Sequence, residues 1–193
     1  MGSINQKERD NITNDDDIQL PVLEYGYRTT KCGWTELKEI LLVENPIIAK
    51  MSRSQEQQRE YEIYKRDLKR KWRSVVDFVL CDKFGFERKE ERATGCFYSH
   101  PPLADVSKVE TKLVLNDFPY YLEDNVEHWI LWKLGGPCTD EDIEKAKVQL
   151  KKDLGDVEEF LHWINPPHLM SLPELDHIHI LCLRQQRPST KFL

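Results

Sequence analysis

The chain lacks most of the features that announce a function. Its apolar runs, such as Ile47 to Ala49 and Ile178 to Leu183 with His179 inside it, fall far short of the roughly 20 residues that span a bilayer, so no transmembrane helix is expected. Its five cysteines (Cys32, Cys81, Cys96, Cys138 and Cys182) form no C-x-x-C pair, and no secretory signal precedes them. Reduced thiols in a cytoplasmic protein are therefore expected, with a nuclear location as the secondary reading. Basic residues are not in excess: 34 acidic residues stand against 28 basic ones, a formal charge of -6. That balance gives no broad attraction for nucleic acid or an anionic membrane, which leaves small molecules and proteins as the expected partners. Neither H-E-x-x-H nor G-x-S-x-G occurs, so the zincin and serine-nucleophile signatures are missing. The opening Met-Gly-Ser has Gln6 where a myristoylation signal needs Ser or Thr, and no lipid anchor is expected.

What is present divides into a tail and a patterned body. Residues 1–20 read as a polar, acidic tail too poor in apolar residues to offset its ordering entropy, with Asp15, Asp16 and Asp17 as its charged run. Residues 21–193 suit a single globular domain. Thr35 is placed to cap a short helix over Glu36 to Val43, stopped by Pro46. Ser52 or Ser54 opens a longer helix from about Gln55 to Cys81, in which Tyr61, Tyr64, Leu68, Trp72, Val75, Val76 and Val79 recur at spacings of three and four. Its other face, Arg59, Lys65, Arg66, Lys69, Arg70, Lys71 and Arg73, is basic, and acidic residues in the same segment argue for a solvated surface rather than a nucleic-acid site. The charged stretch beyond Phe86, as far as Pro102, reads as exposed loop.

The second half has strand-like runs at Thr111–Leu115, Glu127–Lys133, Glu158–Ile164 and His177–Leu183, with a helix capped by Thr139 and ended by Gly155 between the second and third. Helices first, then strands with one helical excursion, predict an α+β fold: N-terminal helices packed on a small, mostly antiparallel sheet with one further helix.

Alternation on a strand sends His177 and His179 to the same face, with His128 on a neighbouring strand able to join them. Both faces of the far half of the last strand are apolar, which makes it central in the sheet and sets the histidines at its mouth. An H-x-H pair with one further ligand suits zinc, but the cysteines lack ligand spacing; we assign no metal and name no cofactor. The alternating run resembles part of the histidine-triad nucleotide hydrolase motif, although Leu181 occupies the third histidine's place. Asn116, Asp117 and Tyr120 add polar groups beside aromatic surfaces, a mixture suited to a polar small molecule, and Ser171 could donate to an anion.

Seven blocks of the chain resemble a fungal family that includes N-acetylglucosamine-induced protein. They are Trp34-Thr-Glu-Leu37, Arg53-Ser54 with the tyrosine-rich helix after it, Asn116-Asp-Phe-Pro-Tyr120, Glu127-His-Trp-Ile-Leu-Trp132, Trp163-Ile-Asn-Pro-Pro167, Ser171-Leu-Pro173 and His177-Ile-His-Ile180. The resemblance implies a fungal intracellular protein responsive to amino-sugar supply and no particular reaction. The polar residues within those blocks define the candidate site: Arg53, Asn116, Asp117, Tyr120, His128, Asn165 and Ser171 as ligand contacts, with His177 and His179 as acid or base if a reaction occurs. The leading expectation is a histidine-lined pocket for a small anionic or sugar-containing metabolite. The alternatives are a regulatory or scaffold protein acting through protein contacts and a histidine-triad-like phosphoester hydrolase.

Overall fold

The structure is a computed structural model that describes residues 18–170 and 172–185. Along the chain come α1 (Trp34–Leu41), α2 (Gln55–Lys71), α3 (Val75–Phe84), β1 (Glu87–Glu90), β2 (Phe97–His100), β3 (Glu110–Leu115), β4 (Val126–Leu134), α4 (Asp140–Leu154), β5 (Val157–Trp163) and β6 (Asp176–Arg184). The fold is α+β, as the pattern predicts. The tail up to Asp17 lies outside the described residues.

Local chemistry explains the helix ends. Ser54 and Gln57 form a capping box on α2, each side chain accepting the other's backbone N–H at 3.1 Å. Thr139 and Asp142 do the same on α4, and Gly155 ends that helix in the left-handed conformation. The helix α1 starts one residue before the expected cap: Gly33 is the N-cap and its carbonyl accepts the Leu37 N–H at 3.0 Å, leaving Thr35 inside the helix. Gly33 also lies so close to the Glu123 carboxylate that an added Cβ would sit 2.9 Å from it.

Two sequence expectations are corrected. The single helix expected over Gln55 to Cys81 is two helices, broken at Trp72 to Ser74. Trp72 is extended, Arg73 N–H donates to the Phe97 carbonyl at 2.9 Å, and the Ser74 hydroxyl accepts the Asp77 N–H at 3.0 Å to start α3. The apolar spacing runs unbroken across this point because Trp72 still packs inward, edge-on against Phe78 and Phe97. The region expected to be loop contains the antiparallel hairpin β1–β2, with Glu87 opposite His100 and Glu90 opposite Phe97. Its first strand is exposed and charged, so no apolar alternation marked it.

The main sheet is antiparallel in the order β3-β4-β6-β5. The last strand is central, as its two apolar faces imply. On one face α4 packs Ile143, Ala146 and Leu150 against Leu131, Ile178, Ile180 and Cys182. The other face carries two separate apolar clusters. One joins Trp34, Leu37 and Ile40 of α1 to Val126, Leu161 and Leu181. The other joins Val79, Leu80 and Phe84 of α3 to Trp132, Leu134, Leu172 and Leu175. The histidines lie between them.

Where β4 ends, Gly135 has φ +78° and approaches the Lys108 carbonyl so closely that a Cβ would stand 2.8 Å from it. Gly135→Ala is expected to destabilise by at least about 1–2 kcal/mol, the cost of a left-handed residue with a side chain. Urea denaturation checks this, and an unchanged midpoint would refute it. Among the described residues no helix is long and apolar enough to cross a membrane.

Candidate functional site

Pairing register assembles the site. In β4 and β6, His128 pairs with Leu181, Ile130 with His179 and Trp132 with His177. His128 and His179 are therefore diagonal neighbours on one face, close enough for large side chains to meet. Their rings do meet: His128 Nε2 is 2.9 Å from His179 Nδ1. On the other flank Trp163 of β5 stacks on His179 at 4.9 Å with an interplanar angle of 10°. His177 stands edge-on to His179 at 5.4 Å and leans on Trp132 at 4.6 Å. All three histidines are buried, with exposures of 3% for His128, 4% for His177 and 7% for His179.

The hydrogen-bond chain fixes their protonation. The Trp163 indole N–H, a donor only, donates to Asn165 Oδ1 at 2.9 Å. The Asn165 amide nitrogen therefore donates to His179 Nε2 at 3.0 Å. Neutral His179 then carries its proton on Nδ1 and gives it to His128 Nε2. At the far end Asn116 accepts the Phe118 N–H on Oδ1 at 3.0 Å, so it turns its amide nitrogen to His128, 3.2 Å from Nδ1. Both ends of the chain are donors, so with His128 Nε2 accepting from His179 the proton on His128 Nδ1 faces the Asn116 amide instead of an acceptor, and an added proton on either ring finds no acceptor there. Burial, the neighbouring His177 and Arg53 lower the His179 pKa to about 3. Burial, His179 and Arg53 hold His128 well below its usual value.

Arg53 closes the cluster. Its Nε and Nη2 donate to the Phe118 carbonyl at 3.1 and 2.7 Å, its Nη1 reaches Gln58 at 3.3 Å, and its guanidinium lies 4.1 Å over the Tyr61 ring and 5.7 Å from that of Tyr120. Tyr120 stacks on His128 at 5.3 Å.

The structure thus brings together Arg53, Asn116, Tyr120, His128, Asn165, His177 and His179. Asp117 is not among them: it is exposed and pairs with Lys83 at 3.0 Å. Ser171 lies outside the described residues. Among the described residues no group of three or more His, Cys, Asp or Glu is arranged to hold a metal. Two members were not singled out from sequence, Trp163 and Trp132. Their signal was available, since each falls on the same strand face as a candidate residue, Trp163 with Asn165 and Trp132 with His128.

One corner of the cluster is unsaturated. His177 Nδ1 donates to the Leu175 carbonyl at 3.0 Å, which leaves Nε2 as a lone-pair acceptor with no hydrogen-bond partner among the described residues. The Trp132 indole, whose ring packs on His177 at 4.6 Å, has its N–H buried with no acceptor among the described residues, an arrangement that ordinarily costs about 1–3 kcal/mol.

A family model described as "Protein of unknown function (DUF3605)" matches residues 33–183. No curated protein matches the chain. A solved crystal structure of HTC1 is similar at 21% identity, over 86% of this chain and 90% of that one, with a TM-score of 0.50. That likeness speaks to the fold alone.

Proposed function

The chain belongs to the DUF3605 family, and from that premise we propose that it binds a small, hydroxyl-rich, sugar-containing metabolite at the His177–Trp132 corner and performs no chemistry on it. The observation that carries the reading is the orphaned Trp132 indole N–H beside the unpartnered His177 Nε2. A donor and an acceptor at one buried corner match a hydroxyl group, which both gives and takes a hydrogen bond.

An anionic ligand fits less well. A buried anion needs a cation beside it, and the cluster's cation, Arg53, aims its N–H groups at the Phe118 carbonyl and Gln58 and not at the His177–Trp132 corner. Hydrolysis in the histidine-triad manner also fits less well: both nitrogens of His179 are engaged, by Asn165 and His128, and Leu181 holds the third position. His128, Trp132, Trp163, His177 and His179, all within the blocks that resemble the fungal N-acetylglucosamine-induced proteins, cluster here, which supports an amino sugar or nucleotide sugar as the ligand of an intracellular protein. The contacts predict that N-acetylglucosamine or UDP-N-acetylglucosamine, at 100 times its dissociation constant, adds about 2.7 kcal/mol to stability. His177→Ala and Trp132→Phe should each weaken binding about tenfold, close to 1.4 kcal/mol, in variants shown by near-UV circular dichroism to remain folded. Titration calorimetry reads both effects; equal affinity in wild type and folded variants would sink the assignment.

A further inference from the structure

The apolar run from Ile40 to Val43 is only in part spent on the core. Ile40 is buried with Trp34 and Leu37 on the inner face of α1, whereas Leu42 is 68% exposed, Val43 50%, and Ile47, just after them, 42%. The helix ends at Leu41, so Leu42 and Val43 stand where the inward stripe of α1 no longer continues. Large apolar side chains exposed singly are ordinary; three on one short turn form a patch of the kind that marks a contact surface.

The polar groups around this patch are mostly acceptors. Ile40, Val43 and Ile47 line a cleft of about 230 Å³ together with Glu36, Glu39 and Lys50. Glu36 is committed to Arg28 at 2.8 Å. Glu39, and Glu44 beside Val43 in the chain, have no ion-pair partner among the described residues. Lys50, the cleft's own cation, holds its ammonium 5.8 Å from the centre of the Tyr25 ring and pairs with neither carboxylate. The end of α1 adds to the imbalance. The Leu42 N–H goes to the Lys38 carbonyl, and the carbonyls of Glu39, Ile40 and Leu41 accept no backbone N–H beyond the helix, so the negative pole of the helix lies at the same corner. Lys38, the basic residue of that last turn, is drawn away to Glu159 at 2.5 Å.

We propose that the corner after α1 docks a segment of a partner protein in which arginine alternates with large aliphatic residues. A guanidinium, with five N–H donors and no acceptor, matches the Glu39 carboxylate and the open carbonyls of the helix end, while the aliphatic neighbours cover Leu42, Val43 and Ile47. Charge selects this occupant over the others. An acidic segment would meet Glu39, Glu44 and the helix end with like charge, and a second copy of the chain docking through the same patch would set those carboxylates against their counterparts. The surface shares no residue with the His177–Trp132 corner and does not depend on what binds there.

The test uses the full chain and a labelled synthetic peptide alternating arginine and leucine, read by fluorescence anisotropy at low salt, with an arginine–serine peptide of the same length beside it. The arginine–leucine peptide is expected to bind at least about tenfold more tightly than the arginine–serine one. Glu39→Lys with Glu44→Lys should weaken that binding about tenfold, and Leu42→Ser with Val43→Ser by a similar factor; all four side chains lie outside the buried core, so both variants stay folded. Asp153→Lys with Glu158→Lys makes the same change in net charge at exposed, unpaired positions elsewhere and should leave the affinity unchanged. No binding of the arginine–leucine peptide to the wild type, equal binding of the two peptides, or equal affinity in wild type and corner variants would each overturn the proposal. A loss in the Asp153–Glu158 control as large as that in the Glu39–Glu44 variant would overturn it too, because the attraction would then come from the charge of the whole protein.

Discussion

Between pH 7.5 and pH 4.5 the protein is expected to lose about 3 kcal/mol of stability through His179, with a further loss of the same sign through His128. Both rings are neutral in the folded state, with His179 titrating near 3 and His128 well below its usual value because they are buried, face each other's neighbours and share the field of Arg53. In the unfolded chain each returns to about 6.5. A base whose folded pKa is depressed contributes stability that is fully present above the unfolded pKa and is lost as pH falls toward the folded one. For His179 the window therefore runs from about pH 6.5 down to about pH 3. It loses about 1.36 kcal/mol per pH unit within it, so two units give the figure above, and His128 adds to it in the same direction.

That loss is a large share of the stability of an ordinary domain, about 5–15 kcal/mol, and it begins before the carboxylates titrate. Geometry gives the same sign independently. The chain from Asn116 through His128 and His179 to Asn165 ends in amide donors at both sides, so an added proton meets a donor in every direction. Guanidinium titrations at pH 7.5, 6.0 and 4.5 measure the slope. His179→Gln should make it shallower, and a wild-type stability flat over this range would refute the account.

Much of this site could be read from the strands before their partners were known. Period-two alternation places His177 with His179 and His128 with Trp132, and the apolar flanks of β6 make it central; the pairing of β6 with both β4 and β5 agrees. What alternation does not carry is register. The contact of His128 with His179 depends on His128 lying opposite Leu181 rather than opposite His179 itself, and a two-residue slip would leave every side chain on its face but change its neighbour. Asp117 shows the same limit from another side: it sits within the polar Asn116–Tyr120 block, yet the turn sends it outward to Lys83. Burial was equally illegible. The sequence places the histidines at a strand mouth, whereas Arg53, Tyr120 and Trp163 cover them. Those covering residues arrive from segments far apart in the chain, and single-strand patterns cannot say what lies above them. The break between α2 and α3 is illegible for a related reason: its cause lies in β2, which the charged stretch before it does not announce.

That break supplies the second large effect: Asp77→Ala is expected to cost about 3–5 kcal/mol. The Asp77 carboxylate is the junction between α3 and the hairpin. It accepts from the Ser99 backbone N–H and hydroxyl, both at 2.9 Å, from the Ser74 hydroxyl at 2.6 Å, and from Arg73 at 3.0 and 3.1 Å. Burial by itself raises its pKa, but the hydrogen bonds from Ser74, Arg73 and Ser99 outweigh that and hold it below the usual value. The side chain is 5% exposed while that of Arg73 is 45% exposed. Most of the loss should therefore come from the buried acceptors removed and not from the ion pair, since solvent weakens pairs with an exposed partner. Ser99 is completely buried, so truncating Asp77 strands its backbone N–H without an acceptor, and that desolvated donor is the largest single cost. Asp77→Asn keeps an oxygen for that N–H and loses only the charge, so it should cost less than half as much. Urea denaturation at pH 7 separates the two variants. Hydrogen exchange should show the β1–β2 amides losing protection first in Asp77→Ala, because the helix break at Trp72 to Ser74 and the hairpin are held by this same carboxylate. Equal stability of the alanine and asparagine variants would mean that the charge, not the buried acceptor, holds the junction.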